Sequence, residues 1–422
     1  MLGKMRILFL SHYFPPEVNA PASRTYEHCK HWVKMGHDVT VVTCAPNHPR
    51  GELYSGYQNR LFQRENRDGI KVVRLWTYIT ANEGVLKRTL NYISYMMAAV
   101  LAAPFLPQPD IVLSTSPQFF NGLAGYLVSR VKRTPWVLEI RDLWPESIVV
   151  VGAITNKWLV GALRWLEVFA YRKADVIVPV TDAFKAYMIS KGISAAKIEV
   201  VKNGVDLDFY DKAEGAPGML EDLGLTGKFV AAYFGTHGMA HHLETVLEAA
   251  AILRGRNDIA FLMVGDGAER HKLLELRDQR GLDNILMLAQ QPKEKMPLLW
   301  ECSNVSLVLL KRSDLFKMVI PSKIFESMAM NRGVILGVEG ESSAIIDAAR
   351  AGFCIAPESA PELAQRVAQL ADNRSLCTEL GRSGRSYVAE HYDRAALASK
   401  YQHIMARLIR TKPARSSRMH PG

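Results

Sequence analysis

The sequence predicts an α/β protein made of two doubly wound parallel sheets. Three observations carry this. Short apolar, β-branched runs alternate with helical patterns along nearly the whole chain, the signature of parallel strands joined by helical crossovers. Those runs stay apolar at successive positions, as strands covered on both faces do. The length of 422 residues, with 48% hydrophobic and 22% charged residues, suits two domains with full cores and excludes a disordered chain.

In the first half the candidate strands are 6–10, 38–43, 71–76, 110–115, 136–140, 175–180 and 198–201, with a helical pattern at 22–35 that stops at Gly36. Residues 89–109 carry no charge and follow Lys87-Arg88. That length touches the lower bound for a membrane span. Pro104, Pro107 and Pro109, with Asn91, Ser94 and Tyr95, favour a buried crossover helix, and a membrane-facing amphipathic helix with basic flanks is the alternative. The link VKNGVDLDFY, 201–210, contains the Asn203-Gly204 turn signal, so the first domain is expected to span 1–205.

The alternation resumes with strands at 230–234, 260–264, 284–288, 305–310, 334–338 and 352–355. Helical patterns lie at 243–254, 269–280, 293–300, 321–331, 342–350 and 360–371. A second domain over 206–381 follows. One long helix over 382–410 is expected to pack back on the first domain, and the polar tail 411–422 is expected to be disordered. Two such domains place a cleft between the carboxyl ends of their strands, so chemistry is expected in the loops just after strands.

Charge is unevenly spread. Of the net +10, the chain up to Val205 holds 25 Lys+Arg against 15 Asp+Glu, and the remainder 27 against 27. A one-sided basic half points to an anionic partner such as lipid headgroups, lipid phosphates or nucleic acid. The five cysteines are scattered without CxxC spacing, which argues for a reducing compartment and against a disulfide frame or a zinc knuckle. The N-terminus becomes strand-like too soon for a signal peptide.

The stretch IPSKIFESMAMNR, 320–332, lies between two strands. Pro321 suits the first turn of a helix. Ile324, Phe325, Met328 and Ala329 fall on one face. Ser322 and Lys323 stand at the helix start, where open N–H donors favour a phosphate, with Glu326 one turn on. A solvated Lys323–Glu326 ion pair is the plain alternative; the functional one gives Lys323 to a diphosphate and Glu326 to ribose hydroxyls.

Other loops are candidates. The loop after the first strand, SHYFPPEVNAPASR, carries Glu17 and Arg24 and is either an ordinary loop or one facing the reacting sugar or acceptor. Arg141-Asp142-Leu143-Trp144-Pro145-Glu146 follows a strand, with Asp142 placed to orient or deprotonate a hydroxyl or to sit in a salt-bridge cluster. Gly235-Thr236-His237-Gly238 lets backbone approach a phosphate. Its histidines straddle a glycine loop, so a metal is not expected. Gly265-Asp266-Gly267 lacks the third glycine of a dinucleotide fingerprint and reads as a tight turn. Lys311, Arg312 and Lys317, with Asp314, suggest a second cationic wall. The signatures of P-loop ATPases, zincins, serine hydrolases and kinases are absent.

Six segments together resemble the GT-B glycosyltransferases of retaining family 4. They are Phe14–Glu17 with Gly36–Val39, Ser114–Pro117, Arg141–Pro145, Asn203–Asp206, Val264–Gly267, and Pro321–Lys323 with Glu326, Met328 and Ala329. The closest likeness is to bacterial O-antigen, capsule and colanic-acid transferases, including the N-acetylfucosamine transferase-like subgroup. The resemblance implies transfer with retention, no metal and no cofactor. It implies a nucleotide-sugar donor, UDP-sugar by expectation, on the second domain. The donor site is expected from Gly235, His237, Gly238, Gln291, Lys311, Arg312, Ser322, Lys323 and Glu326, and catalysis from Asp142 and Glu17. It further implies a polyprenyl-diphosphate-linked acceptor on the first domain and a cytoplasmic, peripheral place on the inner face of the plasma membrane, with no nucleic acid partner. Departures are Met318 where the family has an acid eight residues before Glu326, histidines for the basic pair of the glycine loop, and Asn19-Ala20 for the glycine pair of the first loop. A UDP-sugar 2-epimerase and a non-catalytic nucleotide-sugar binder are the alternatives.

Overall fold

The structure, a computed structural model, describes residues 3–412 apart from 49, 81–84, 117, 151, 153, 155 and 212–215. The chain divides into two compact units. The first runs to Lys202 and is rejoined by the chain from Ala395 onward; the second is Asn203–Arg394.

The first unit holds β1 (Arg6–Leu10), β2 (Asp38–Cys44), β3 (Phe62–Arg67), β4 (Ile70–Leu75), β5 (Ile111–Thr115), β6 (Trp136–Ile140) and β7 (Val176–Pro179). They form one sheet in the order β3-β4-β2-β1-β5-β6-β7. All neighbours are parallel except β3, which is antiparallel to β4. β3 was not expected. Its sequence FQRENR is polar and half exposed, because an edge strand needs no apolar face on both sides. Its hairpin turns at Asp68-Gly69, both at positive φ, the geometry of a two-residue turn. The expected strand at 198–201 is reduced to one bridge between Ile177 and Ile198.

The second unit holds β8 (Phe229–Phe234), β9 (Ile259–Val264), β10 (Ile285–Leu288), β11 (Val305–Leu309), β12 (Gly333–Gly337) and β13 (Gly352–Cys354). The order is β10-β9-β8-β11-β12-β13, all parallel. Strand direction therefore puts every βα loop at one edge. The order reverses between β8 and β11, the switch point where such sheets leave room for a ligand. In the first unit the reversal falls between β1 and β5.

The single long helix expected over 382–410 is two helices, Arg374–His391 and Arg394–Thr411. The break is held by the link turn: Val205 N–H donates to the Tyr392 carbonyl at 3.0 Å and Arg394 N–H to the Val205 carbonyl at 2.9 Å. Tyr392 packs its ring 4.5 Å from Phe325. The first of these helices stays in the second unit, where a Cβ on Gly381 would lie 2.0 Å from the Asn331 carbonyl oxygen. The second helix joins the first unit. Trp32 Nε1 donates to the Ala398 carbonyl at 3.0 Å, and Tyr401 sits edge-on to Trp32. The part of the expected disordered tail from 413 on lies outside the described residues. Residues 85–102 form a crossover helix, half-buried through Tyr92, Tyr95 and Ala99. No helix among the described residues is long and apolar enough to cross a membrane.

Candidate functional site

The β8–β11 switch point gathers much of the predicted donor site. β8 ends in a buried aromatic run and turns at Gly235, whose N–H donates to the Val264 carbonyl at 2.9 Å. The turn after β9 is pressed against it. A Cβ on Gly265 would stand 1.8 Å from the Gly235 carbonyl oxygen, and one on Gly267 2.6 Å from that of His237. The Gly265–Gly267 pair thus serves close backbone packing, as its reading as a tight turn requires. The Lys311 N–H donates to the Ala240 carbonyl at 2.8 Å and joins the loops after β8 and β11.

Lys323 opens the helix Lys323–Ala329. Its ammonium nitrogen lies 3.7 Å from the centroid of the Tyr233 ring and 3.0 Å from where a Gly235 Cβ would be. It is buried and has no hydrogen-bond partner among the described residues. Burial pulls its pKa down to about 7, against the opposing pull of Glu326. Tyr233 is fixed by its own hydroxyl, which donates to the Thr236 carbonyl at 2.7 Å. A buried ammonium with a ring face beside it and the pull of Glu326, but no hydrogen-bond partner among the described residues, still lacks the direct anion contact that burying a charge demands.

Ser322 stands at the N-cap but makes no side-chain cap bond. Its carbonyl accepts from Phe325 and Glu326 N–H at 3.0 and 3.4 Å. Glu326 lies half-buried on the same helix. His237 is fully buried. Burial, then Arg270 and Lys323, lower its pKa to about 4. For His241 burial and Lys323 lower it to about 3, and its Nδ1 faces the Leu309 carbonyl at 3.2 Å. Both rings are neutral at pH 7, so the histidines that replace the family's basic pair bring no charge.

The expected cationic wall after β11 is mostly spent internally. Lys317 pairs with Asp314 at 2.9 Å and Glu339 at 3.3 Å. Arg312 turns to the loop after β13: its N–H donates to Glu358 Oε1 at 2.9 Å and its Nη2 to the Pro357 carbonyl at 3.2 Å. Gln291 sits after β10, two strands from the switch point, and donates to the Ala289 carbonyl at 3.1 Å. Met318, where an acid was expected, lies in a 3-10 turn over Phe316–Met318.

In the first unit Glu17 is buried. One oxygen accepts from the Asn47 and His48 N–H groups at 3.0 Å each, the other from Phe14 N–H at 3.3 Å. Burial still raises its pKa to about 7. Its carboxyl group organises the loop after β1. Asp142 follows β6, where Ser116 Oγ accepts from the N–H groups of Arg141 at 2.7 Å and Asp142 at 3.3 Å. It lines a pocket walled by Phe119, Leu138, Ile140, Trp144 and Tyr171, and burial raises its pKa. Glu146, expected in a cluster with Arg141 and Asp142, pairs instead with Arg164 through two bonds of 2.9 Å, while Arg141 Nη2 reaches the Ala20 carbonyl at 2.9 Å.

A second carboxyl group in that pocket, Glu167, was missed. Tyr171 Oη donates to its Oε1 at 2.8 Å. Its Oε2 is buried with no partner among the described residues, and burial raises its pKa to about 7. The signal was available: Glu167 is the one acid in the helix Lys157–Lys173 and falls in line with the buried Val160, Leu163, Ala170 and Tyr171. Among the described residues no group of three or more His, Cys, Asp or Glu side chains is arranged to hold a metal.

Residues 19–204 match the family described as Glycosyl transferase 4-like domain, and residues 221–387 that described as Glycosyl transferases group 1. A putative colanic acid biosynthesis glycosyl transferase of Escherichia coli is 24% identical over 86% of this chain and 92% of its own length. An alpha-D-kanosaminyltransferase of Streptomyces kanamyceticus is 27% identical over 66% of this chain and 73% of its own. Among solved structures, sucrose-phosphate synthase of Thermosynechococcus elongatus superposes with a TM-score of 0.76 at 16% identity, covering 97% of this chain and all of that one. An Anabaena protein, HepE, solved with UDP and glucose, superposes at 0.72 and 16% identity, covering 95% and 99%.

Proposed function

A chain that joins a glycosyl transferase 4-like domain to a glycosyl transferases group 1 domain is a glycosyltransferase of GT-B fold, and from that premise we propose that this one moves a sugar from a UDP-sugar, with retention, to a lipid-linked glycan in the synthesis of a bacterial surface polysaccharide. The observation that carries the donor half is the Lys323 ammonium, buried at the switch point of the second unit against a ring face, with the pull of Glu326 but no hydrogen-bond partner among the described residues. A leaving nucleoside diphosphate supplies that partner, and stabilising its charge as the glycosidic bond breaks is the main electrostatic task of such a site. The Gly235–Gly238 turn lies beside that ammonium, which is 3.0 Å from where a Gly235 Cβ would be. Its Gly235 and His237 N–H groups are given to the Val264 and Asp266 carbonyls, so the turn offers the phosphates close approach rather than those two donors. Glu326, one turn further, takes the ribose hydroxyls. The UDP in the Anabaena neighbour supports uracil as the base.

Asp142 is the proposed group that orients the acceptor hydroxyl. Its raised pKa suits a carboxylate that takes a proton in the transition state. Glu17, with its oxygens occupied by three backbone N–H groups, acts by holding the loop. The relatives of the surface-polysaccharide type, such as the colanic acid protein, support a lipid-carried acceptor and a peripheral site on the inner face of the plasma membrane. The sugar class proposed is an N-acetylated amino sugar such as N-acetylfucosamine, on the sequence resemblance alone. The 2-epimerase and non-catalytic readings draw no support from these matches. Incubation with a panel of UDP-sugars, with and without membrane lipid extract, tests the proposal: UDP release that depends on the lipid supports it, and UDP-sugar epimerised without lipid overturns it.

A further inference from the structure

Three helices cover one face of the first unit's sheet. They are Val85–Ala102, Phe119–Lys132 and Lys157–Lys173, the crossovers from β4 to β5, β5 to β6 and β6 to β7. Right-handed crossovers in that direction put all three on one side. The helix Ala20–Lys34 and the last helix, Arg394–Thr411, pack on the other. The middle helix is tied to its neighbours: Lys132 Nζ donates to the Leu106 carbonyl at 2.6 Å, and Tyr126 meets Phe169 edge-on at 5.6 Å.

The outer surface of this layer is apolar beyond what a solvated layer needs. On the first helix Leu86, Leu90, Met97 and Leu101 repeat at i, i+4, i+11 and i+15, one stripe, and Phe105 continues it; Leu86 is 73% exposed and Phe105 74%. The middle helix shows Leu127 and Val131. On the third, Trp158 is 91% exposed and Trp165 66%. Large aromatic side chains at such exposure mark a contact surface. The charges are of one sign. The three helices contain a single acid, Glu167, and it is buried. Lys87, Arg130, Arg133, Lys157, Arg172 and Lys173 are exposed on them or at their ends.

We propose that this three-helix face seats the protein on an anionic lipid bilayer, with Trp158, Trp165 and Phe105 entering the interfacial zone. The chemistry selects the occupant. Exposed aromatics and aliphatics beside exposed Lys and Arg match headgroup phosphates over acyl chains. A second copy of the chain would bring the same cations against themselves. The inference deepens the lipid-acceptor reading and rests on it for its biological sense, but not for its test.

Full-length protein is floated with vesicles of phosphatidylcholine alone and of phosphatidylcholine mixed with phosphatidylglycerol. Binding is expected only to the mixed vesicles, to fall with added salt, and to shift the tryptophan fluorescence to the blue. Arg130→Glu with Arg133→Glu, and separately Trp158→Ser with Phe105→Ser, should each weaken partition by about tenfold or more. Lys34→Glu, on the opposite face, should leave it unchanged. All these side chains are exposed, and far-ultraviolet dichroism and UDP-sugar hydrolysis confirm folded protein. Equal flotation with both vesicle types, loss caused by Lys34→Glu, or a dimer broken by the same variants in place of vesicle binding overturns the proposal. Hydrolysis of UDP-sugar without vesicle binding sinks the face alone; vesicle binding without hydrolysis sinks the donor reading alone.

Discussion

Raising the pH from 7 to 9 should strip the protein of most of its affinity for UDP. The perturbation acts on Lys323, whose burial holds it at about 7 in the free protein. Two phosphate charges beside the ammonium would restore it to the ordinary lysine range, about 10.4. UDP then binds only the protonated form. That form is about one half of the molecules at pH 7 and about one hundredth at pH 9, so the apparent Kd rises about 50-fold, or about 2.3 kcal/mol. Binding must also take up a proton: about 0.5 at pH 7 and about 0.9 at pH 8. Titration calorimetry in two buffers of different ionisation enthalpy reads both quantities. Lys323→Met, which keeps the stem over Tyr233, should bind weakly at every pH and take up no proton. A Kd constant between pH 7 and 9, or a slope that survives in the methionine variant, would refute the reasoning.

Three further outcomes follow from the same geometry. Asp142→Asn should leave the UDP Kd unchanged and slow transfer about 10²–10⁴-fold; normal turnover in a radiolabelled sugar assay would clear it of catalysis. Gly265→Ala puts a Cβ where the Gly235 carbonyl oxygen stands, so it should destabilise the protein by about 2–3 kcal/mol in denaturant melts and weaken UDP binding together with stability. Glu167 is raised to about 7 in the fold, so its contribution is full below about 4.3 and is lost as pH rises through 7. Glu167→Gln should therefore be about 1–3 kcal/mol more stable than wild type at pH 8 and show no such gain at pH 4.5, measured by urea unfolding at both pH values.

What could be read in the sequence follows burial. Strands such as β1, β5, β8 and β11 are mostly apolar because both faces are covered, and their positions were legible to within a residue or two. β3 was not, since its polar edge sequence resembles a loop. The helix break at Tyr392–Asp393 was hidden for a different reason. It is held by the distant Val205, which bonds to both sides of it, and its local mark is one residue, Asp393 at the N-cap position of the helix Arg394–Thr411, inside an otherwise continuous helical pattern. Lys323 was found from its place after Ser322 in a strand–loop–helix unit. Its burial against Tyr233, which sets its pKa, depends on a strand ninety residues earlier. Lys317 counted as a cation in the sequence, yet Asp314 and Glu339 neutralise it. Spacing shows that charges are near in sequence; it does not show which ones pair across loops.

A crystal structure with UDP bound gives the most direct test of the central claim, that a buried lysine at the second unit's switch point meets the donor's diphosphate. The account predicts Lys323 Nζ within about 3.2 Å of a diphosphate oxygen, with the Gly235–Gly238 turn against the same phosphates and the ribose beside Glu326. UDP bound with its diphosphate away from Lys323, and the ammonium still resting on Tyr233 without an anion, would contradict it.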